Sequence, residues 1–147
     1  MNAHTALAAL AGNYGHGDIV ASHRHDEGQL VYAINGVMLV SVEETTWVVP
    51  SGHALWVPSG LEHQIRMTGE VRMRTLLISP GAHRRLTEEC EVIRVSPLLR
   101  GLIVAAGEEP DSHPGSWRHV QIVELIFSEL DRAQRVLAHV PIPDEPR

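Results

Sequence analysis

A chain of 147 residues has the length of one ordinary domain, with room for a real core and not for two. Hydrophobic residues make up 44% and charged residues 20%, which excludes a disordered tail, and no apolar run approaches the roughly 18 residues that a membrane span needs. The formal net charge is −6 and all twelve basic residues are arginine, a balance that argues against a nucleic-acid-binding face.

The N-terminal MNAHTALAALAG carries a short apolar patch with no basic residue ahead of it, so a secretory signal is not expected. The single cysteine, Cys90, allows no internal disulfide and suits a reducing compartment, and its bland role is that of a small buried hydrophobe. Both features point to a cytoplasmic domain without a membrane partner.

From Asp18 to about Val95 the chain reads as short apolar or alternating runs, among them LVYAI, VMLVSV, TWVV, ALWV, HQIRM and VRMRTLLI, punctuated by NG, EET, PSG and TG. Short strands at spacings of about ten residues with turn chemistry between them predict an all-β sandwich or barrel. AINGVML is the clearest hairpin signal, because Asn35-Gly36 suits a type I′ turn.

Within this region two blocks carry chemistry. The first reads G-x5-H-x-H-x3-Q-x6-G from Gly17 through His23, His25 and Gln29 to Gly36, and the second G-x5-P-x-G-x2-H from Gly52 through Pro58 and Gly60 to His63. On a strand, residues i and i+2 share a face, so His23 and His25 would project together. A turn at Asp26-Glu27-Gly28 would set Gln29 beside them, and the VPSG turn would deliver His63 from a distant strand. Three imidazoles and an amide oxygen then form a workable site for Zn²⁺, Ni²⁺ or Fe²⁺. Glu27 is an alternative fourth ligand if the turn begins later, whereas Glu62 should point away from His63.

Inward positions of the same parity as these ligands predict a mostly apolar pocket: Val31 and Ala33 after Gln29, Ile65 and Met67 after His63, with Met38, Trp56 and Met73 nearby. Trp56 is equally at home as plain core. Such a cavity suits a small organic effector with one chelating or anionic group. His16 adjoins the first strand of the site, and the remaining histidines fit no ligand spacing.

After Ser96 the period changes. SPLLRGLIVAAGEEP opens with a Ser cap and Pro at the first helical position, and SWRHVQIVELIFSELDRAQRVL forms a second, longer helix. Its stripe of Val120, Val123, Ile126, Phe127 and Leu130 is broader than one core contact needs, which predicts either contact with a second copy of the chain or a helix sunk deep in its own core. The texture divides the molecule into a barrel over residues 1–95, a helical segment over 96–139 that packs on it and dimerises, and a Pro-rich linker over 140–147.

The paired blocks resemble the two motifs of the cupin superfamily, whose fold is a double-stranded β-helix or jelly-roll barrel. In many cupins three histidines and a glutamate hold a divalent metal; here His23, His25 and His63 match, while Gln29 stands at the glutamate position and Met67 where an asparagine is frequent. Nearly the whole chain, from HRHDEGQLVYAINGVMLV through VSPLLRGLI to the late helix, resembles the N-terminal sensing domain of AraC-type transcriptional regulators. The resemblance implies a mainly β fold followed by two C-terminal helices, a small-molecule effector and a homodimer. DNA would be reached only through a C-terminal helix-turn-helix domain absent from this chain. A free-standing metal-dependent cupin enzyme, a dioxygenase or isomerase, is the alternative, with Gln29 in place of a carboxylate against it.

Overall fold

The computed structural model describes residues 7–23, 26–82, 87–108, 116–136 and 142–143. Eight strands precede the helices or lie in the barrel wall up to Ile78: β1 (Leu7–Tyr14), β2 (Ile19–His23), β3 (Gly28–Ala33), β4 (Val37–Val42), β5 (Thr45–Val49), β6 (His53–Val57), β7 (His63–Thr68) and β8 (Val71–Ile78). Then come β9 (Glu91–Arg94), α1 (Pro97–Glu108), α2 (Trp117–Arg132) and a two-residue β10 (Ile142–Pro143). They form two antiparallel five-stranded sheets, ordered β1-β8-β3-β6-β9 and β10-β5-β4-β7-β2. The mainly β barrel followed by two helices is the architecture expected from the sequence.

Each sheet records its surroundings in its sequence. The second sheet faces the barrel interior on one side and solvent on the other, so β4 alternates strictly, with Met38, Val40 and Val42 buried. The first sheet is covered on both sides. In β3, Val31 and Ala33 turn into the barrel, while Leu30 and Tyr32 join the layer beneath α1 and α2, and all six residues are buried. Two apolar clusters result, one inside the barrel and one between the first sheet and the helices.

Several segments are placed differently from their sequence expectation. Asn35-Gly36 does not close a hairpin, because β3 pairs with β6 and β8 whereas β4 pairs with β5 and β7. The turn instead hands the chain from one sheet to the other. Gly36 has φ of 87°, and a Cβ there would come 2.5 Å from the Glu70 carbonyl oxygen. The two-residue hairpin is at Glu43-Glu44, between β4 and β5. Strands also begin earlier than Asp18: the alanine-rich β1 pairs along its whole length with β8.

The late helix is shorter than its apolar pattern. It starts at the cap of Ser116, whose Oγ accepts the His119 N–H at 3.1 Å, as Ser96 does for Leu99 in α1. It ends at Arg132, and residues 134–136 return to the barrel along β9. Arg94 N donates to the Gln134 carbonyl at 3.0 Å, Val136 N donates to the Val92 carbonyl at 2.9 Å, and Arg135 pairs with Glu91 at 3.0 Å. In the tail read as a linker, Ile142 and Pro143 pair with Thr46 and Thr45 of β5. Finally, Val123, Ile126 and Leu130, assigned from sequence to a dimer contact, are buried within the chain beneath α1. What α2 leaves to solvent is Trp117, 76% exposed, and Leu125, 47% exposed, with Val120 and Phe127 half-buried. No helix among the described residues is long and apolar enough to cross a membrane.

Candidate functional site

Two sequence-predicted residues meet inside the barrel. Gln29 begins the inward row of β3, and His63 begins β7 on the facing sheet. Both are buried, and His63 Nε2 lies 2.8 Å from Gln29 Oε1. The turn falls at residues 26–27, just ahead of β3, which is what brings Gln29 rather than Glu27 to this point; Glu27 stays half-exposed.

The other nitrogen of the ring fixes the chemistry. His63 Nδ1 lies 3.1 Å from the Leu61 carbonyl, which can only accept, so Nδ1 carries the proton. In a neutral ring Nε2 then presents a lone pair toward the lone pairs of Gln29 Oε1. Two acceptors facing each other need something positive between them or a rearrangement. A proton on Nε2, a half-turn of the amide, or a cation held by both atoms would each answer the conflict. Two tetrahedral ligands about 2.1 Å from one ion stand roughly 3.4 Å apart, so the pair, now at the 2.8 Å of an ordinary hydrogen bond, would open slightly to share a metal. A ligating histidine commonly has its second nitrogen held by a backbone carbonyl, as Leu61 holds this one.

The partner histidines are placed less completely. The register sets His23 of β2 directly opposite His63 of β7, with an irregularity between Val20 and His23. The side chain of His23, and His25 altogether, lie outside the described residues. Among the described residues no three His, Cys, Asp or Glu side chains gather in a metal-binding group.

Of the expected pocket residues, Val31, Ala33, Met38, Ile65, Met67 and Met73 share the barrel-interior cluster. Trp56 does not. Its parity on β6 sends it to the helix-covered face, where its ring packs over Gly28 so closely that a Cβ there would overlap it, and Nε1 donates to the Thr87 carbonyl at 2.9 Å. Trp56 therefore holds down the loop after β8. The barrel is flanked by a cleft of about 480 Å³ beside Trp56, Pro58 and Leu61 and another of about 310 Å³ beside Ser22, Glu62 and Gln64. Neither is lined by Gln29 or His63; Leu61 borders both.

Other candidates fall away from the pair. Glu62 faces outward and accepts from Ser22 Oγ at 2.8 Å. His16 sits at the opposite end of the barrel, its Nδ1 accepting the Gly69 N–H at 2.8 Å. Burial, with Glu43 nearby, pushes the Cys90 thiol from 9.0 to about 11, as suits a packed rather than a nucleophilic sulfur. One residue escaped the sequence reading: Thr75 on β8 is buried at 2% exposure, and its hydroxyl has no hydrogen-bond partner among the described residues. The signal was there in Val71, Met73, Thr75 and Leu77, an alternating inward row with one polar member.

Comparison with known proteins agrees with this architecture. The family model of the AraC-like ligand binding domain matches residues 8–138. The HTH-type transcriptional regulator NimR of Escherichia coli (strain K12) is 28% identical over 145 residues, which are 98% of this chain and 53% of NimR. The chain thus spans about half the length of that curated relative. Among solved structures, a conserved protein of unknown function from Streptococcus pyogenes is 18% identical with a TM-score of 0.49, covering 52% of this chain and 68% of its own. A cupin superfamily protein from Desulfitobacterium hafniense DCB-2 is 15% identical with a TM-score of 0.48, covering 50% and 68%.

Proposed function

From a chain that belongs to the family of AraC-like ligand-binding domains, we propose a sensing unit whose barrel takes up a small organic effector and reports it through the helices on its outer face. β3 supplies the physical link. Gln29, Val31 and Ala33 face the interior while Leu30 and Tyr32 of the same strand pack in the layer shared with α1 and α2. An effector that displaces the inward row must move the strand, and a close-packed layer on its other side transmits the displacement. We place the functional boundary near residue 95, between barrel and helices, and DNA binding in the kind of segment that NimR has beyond the shared half.

The observation that carries the reading of the site is the buried Gln29–His63 contact, with His63 turned to present Nε2. His63 through Nε2 and Gln29 through Oε1 would hold a divalent ion such as Zn²⁺, Ni²⁺ or Fe²⁺, with His23 and His25 completing the set. When bound, the ion would supply a Lewis-acidic point for a chelating group of the effector. Gln29 has no carboxylate to take up a proton, and Glu27 sits half-exposed before the strand, which favours a sensing role for the site over a catalytic one. Elemental analysis of untagged protein exposed to each metal tests the site. Roughly one ion per chain is expected in the wild type and less than a tenth of that in His63→Ala. A wild type that remains metal-free would leave Gln29 and His63 as a hydrogen-bonded tie between the sheets.

A second copy of the chain would be met by the solvent side of the helices, where Trp117, Leu125 and Leu98 are exposed beside half-buried Val120 and Phe127. Sedimentation of Leu125→Glu should then show more monomer than the wild type at equal concentration.

A further inference from the structure

Among the described residues the buried polar side chains are Gln29, His63 and Thr75, and all three stand on inward rows of the barrel. Gln29 and His63 answer one another. Thr75 is different: its hydroxyl oxygen is sealed from solvent with no partner among the described residues. The ladder fixes its position. Val31 of β3 lies opposite Thr75, and Gln29 lies opposite Leu77, so Thr75 is the diagonal neighbour of Gln29, roughly 7–8 Å away between Cα atoms. It therefore stands one step deeper in the barrel than the Gln29–His63 pair, on the same wall.

A buried hydroxyl left unpaired destabilises the fold, and a valine of nearly the same shape would not. A threonine placed at such a cost calls for a partner that arrives from outside. Resting on the sensing role above, we propose that Thr75 is the second polar anchor of the effector. The class of molecule follows from the surroundings. The described inward residues carry no arginine and no carboxylate, since Arg66 and Arg72 alternate to the exposed face and Arg74 is held by the Met73 carbonyl and Asn13. Met38, Met67 and Met73 give the interior flexible, polarisable walls that can repack around an aromatic body. The effector is thus a small uncharged, ring-sized molecule with a hydrogen-bonding oxygen or nitrogen for Thr75 and a second polar end directed to Gln29 and His63.

Phenol and toluene, which share a shape and differ in the hydroxyl, test this on the whole chain with Thr75→Val and Thr75→Ser variants. Without ligand, Thr75→Val should melt higher than the wild type by roughly 3 °C. By calorimetry it should bind phenol about tenfold more weakly than the wild type and toluene equally, while Thr75→Ser keeps phenol binding. Its metal content should match the wild type, so failure of the metal site and failure of this proposal read out separately. Equal phenol affinity in wild type and Thr75→Val, a lowered melting temperature in Thr75→Val, or a wild type that binds neither probe would each overturn it.

Discussion

The two sides of the first sheet are built to different rules. The layer under the helices joins Leu30, Tyr32, Leu76, Ile78, Leu99, Ile103, Val123 and Ile126, and among the described residues its buried polar groups are the ring ends of Tyr32 and Trp56. The barrel interior, one strand thickness away, holds three methionines and the buried Gln29, His63 and Thr75. Aliphatic side chains with few rotamers specify one packing, whereas methionines tolerate several. The contrast assigns stability to the outer layer and adaptability to the inner one, and variants on either side can break that division.

The largest effect should come from the outer layer. Ile126 is fully buried between α2 and the sheet, and truncation to alanine opens a cavity among side chains that cannot collapse around it. Ile126→Ala should lower unfolding free energy by about 3 kcal/mol in urea titrations. The fraction that stays folded should bind metal as the wild type does. The inner counterpart, Met67→Leu, should cost less than about 1.5 kcal/mol because volume is conserved and the neighbours are flexible. Equal losses in the two layers would erase the distinction.

Next comes Gln29→Glu, where the sign of the effect depends on conditions. Without metal, the new carboxyl is buried against His63 and solvent cannot reach it, so stability should fall by about 1–3 kcal/mol. With Zn²⁺ present the carboxylate becomes the better ligand, and the variant should gain more in melting temperature from the ion than the wild type gains. Melting curves with and without Zn²⁺ check both arms. A variant that is destabilised under both conditions would show that the pair serves only to tie the sheets.

Much of this division was legible in the residues. Alternation identified the inward rows of β3, β4 and β7, and the spacing of the two motif blocks brought Gln29 and His63 together from different sheets, 34 residues apart. Failures occurred where local sequence carries no information about the neighbour. Asn35-Gly36 has hairpin chemistry, yet sheet membership of the flanking strands is decided by distant pairing, and Gly36 is required by the approach of Glu70. The stripe on α2 was correctly apolar, but an apolar face does not name its partner: Val123, Ile126 and Leu130 meet this chain's own core. Trp56 took the core place that the sequence offered as its other reading, since Leu55 and Val57 are the inward members of β6. Thr75 needed only the period-2 rule applied to VRMRTLLI, and it hid because a single threonine in a strand is unremarkable until its burial is known.

The smallest effect concerns Cys90, which packs half-buried against the interior cluster and so reports on whether that cluster is closed. Its thiol is raised from 9.0 to about 11, chiefly by burial and secondarily by Glu43. A folded-state value above the unfolded one means that the neutral thiol favours the fold. This contribution is complete below pH 9 and is lost as the pH rises from about 9 to 11, so Cys90→Ser should flatten that limb of the stability curve. Alkylation by iodoacetamide at pH 9 should also run roughly fifty-fold slower in the folded chain than in urea, since about 1% rather than half of the thiol is ionised. If effector uptake loosens the inner layer, phenol should accelerate that alkylation in the wild type and not in Thr75→Val. An acceleration shared by both would separate opening of the barrel from recognition by Thr75, and would place the adaptability in the methionine walls alone.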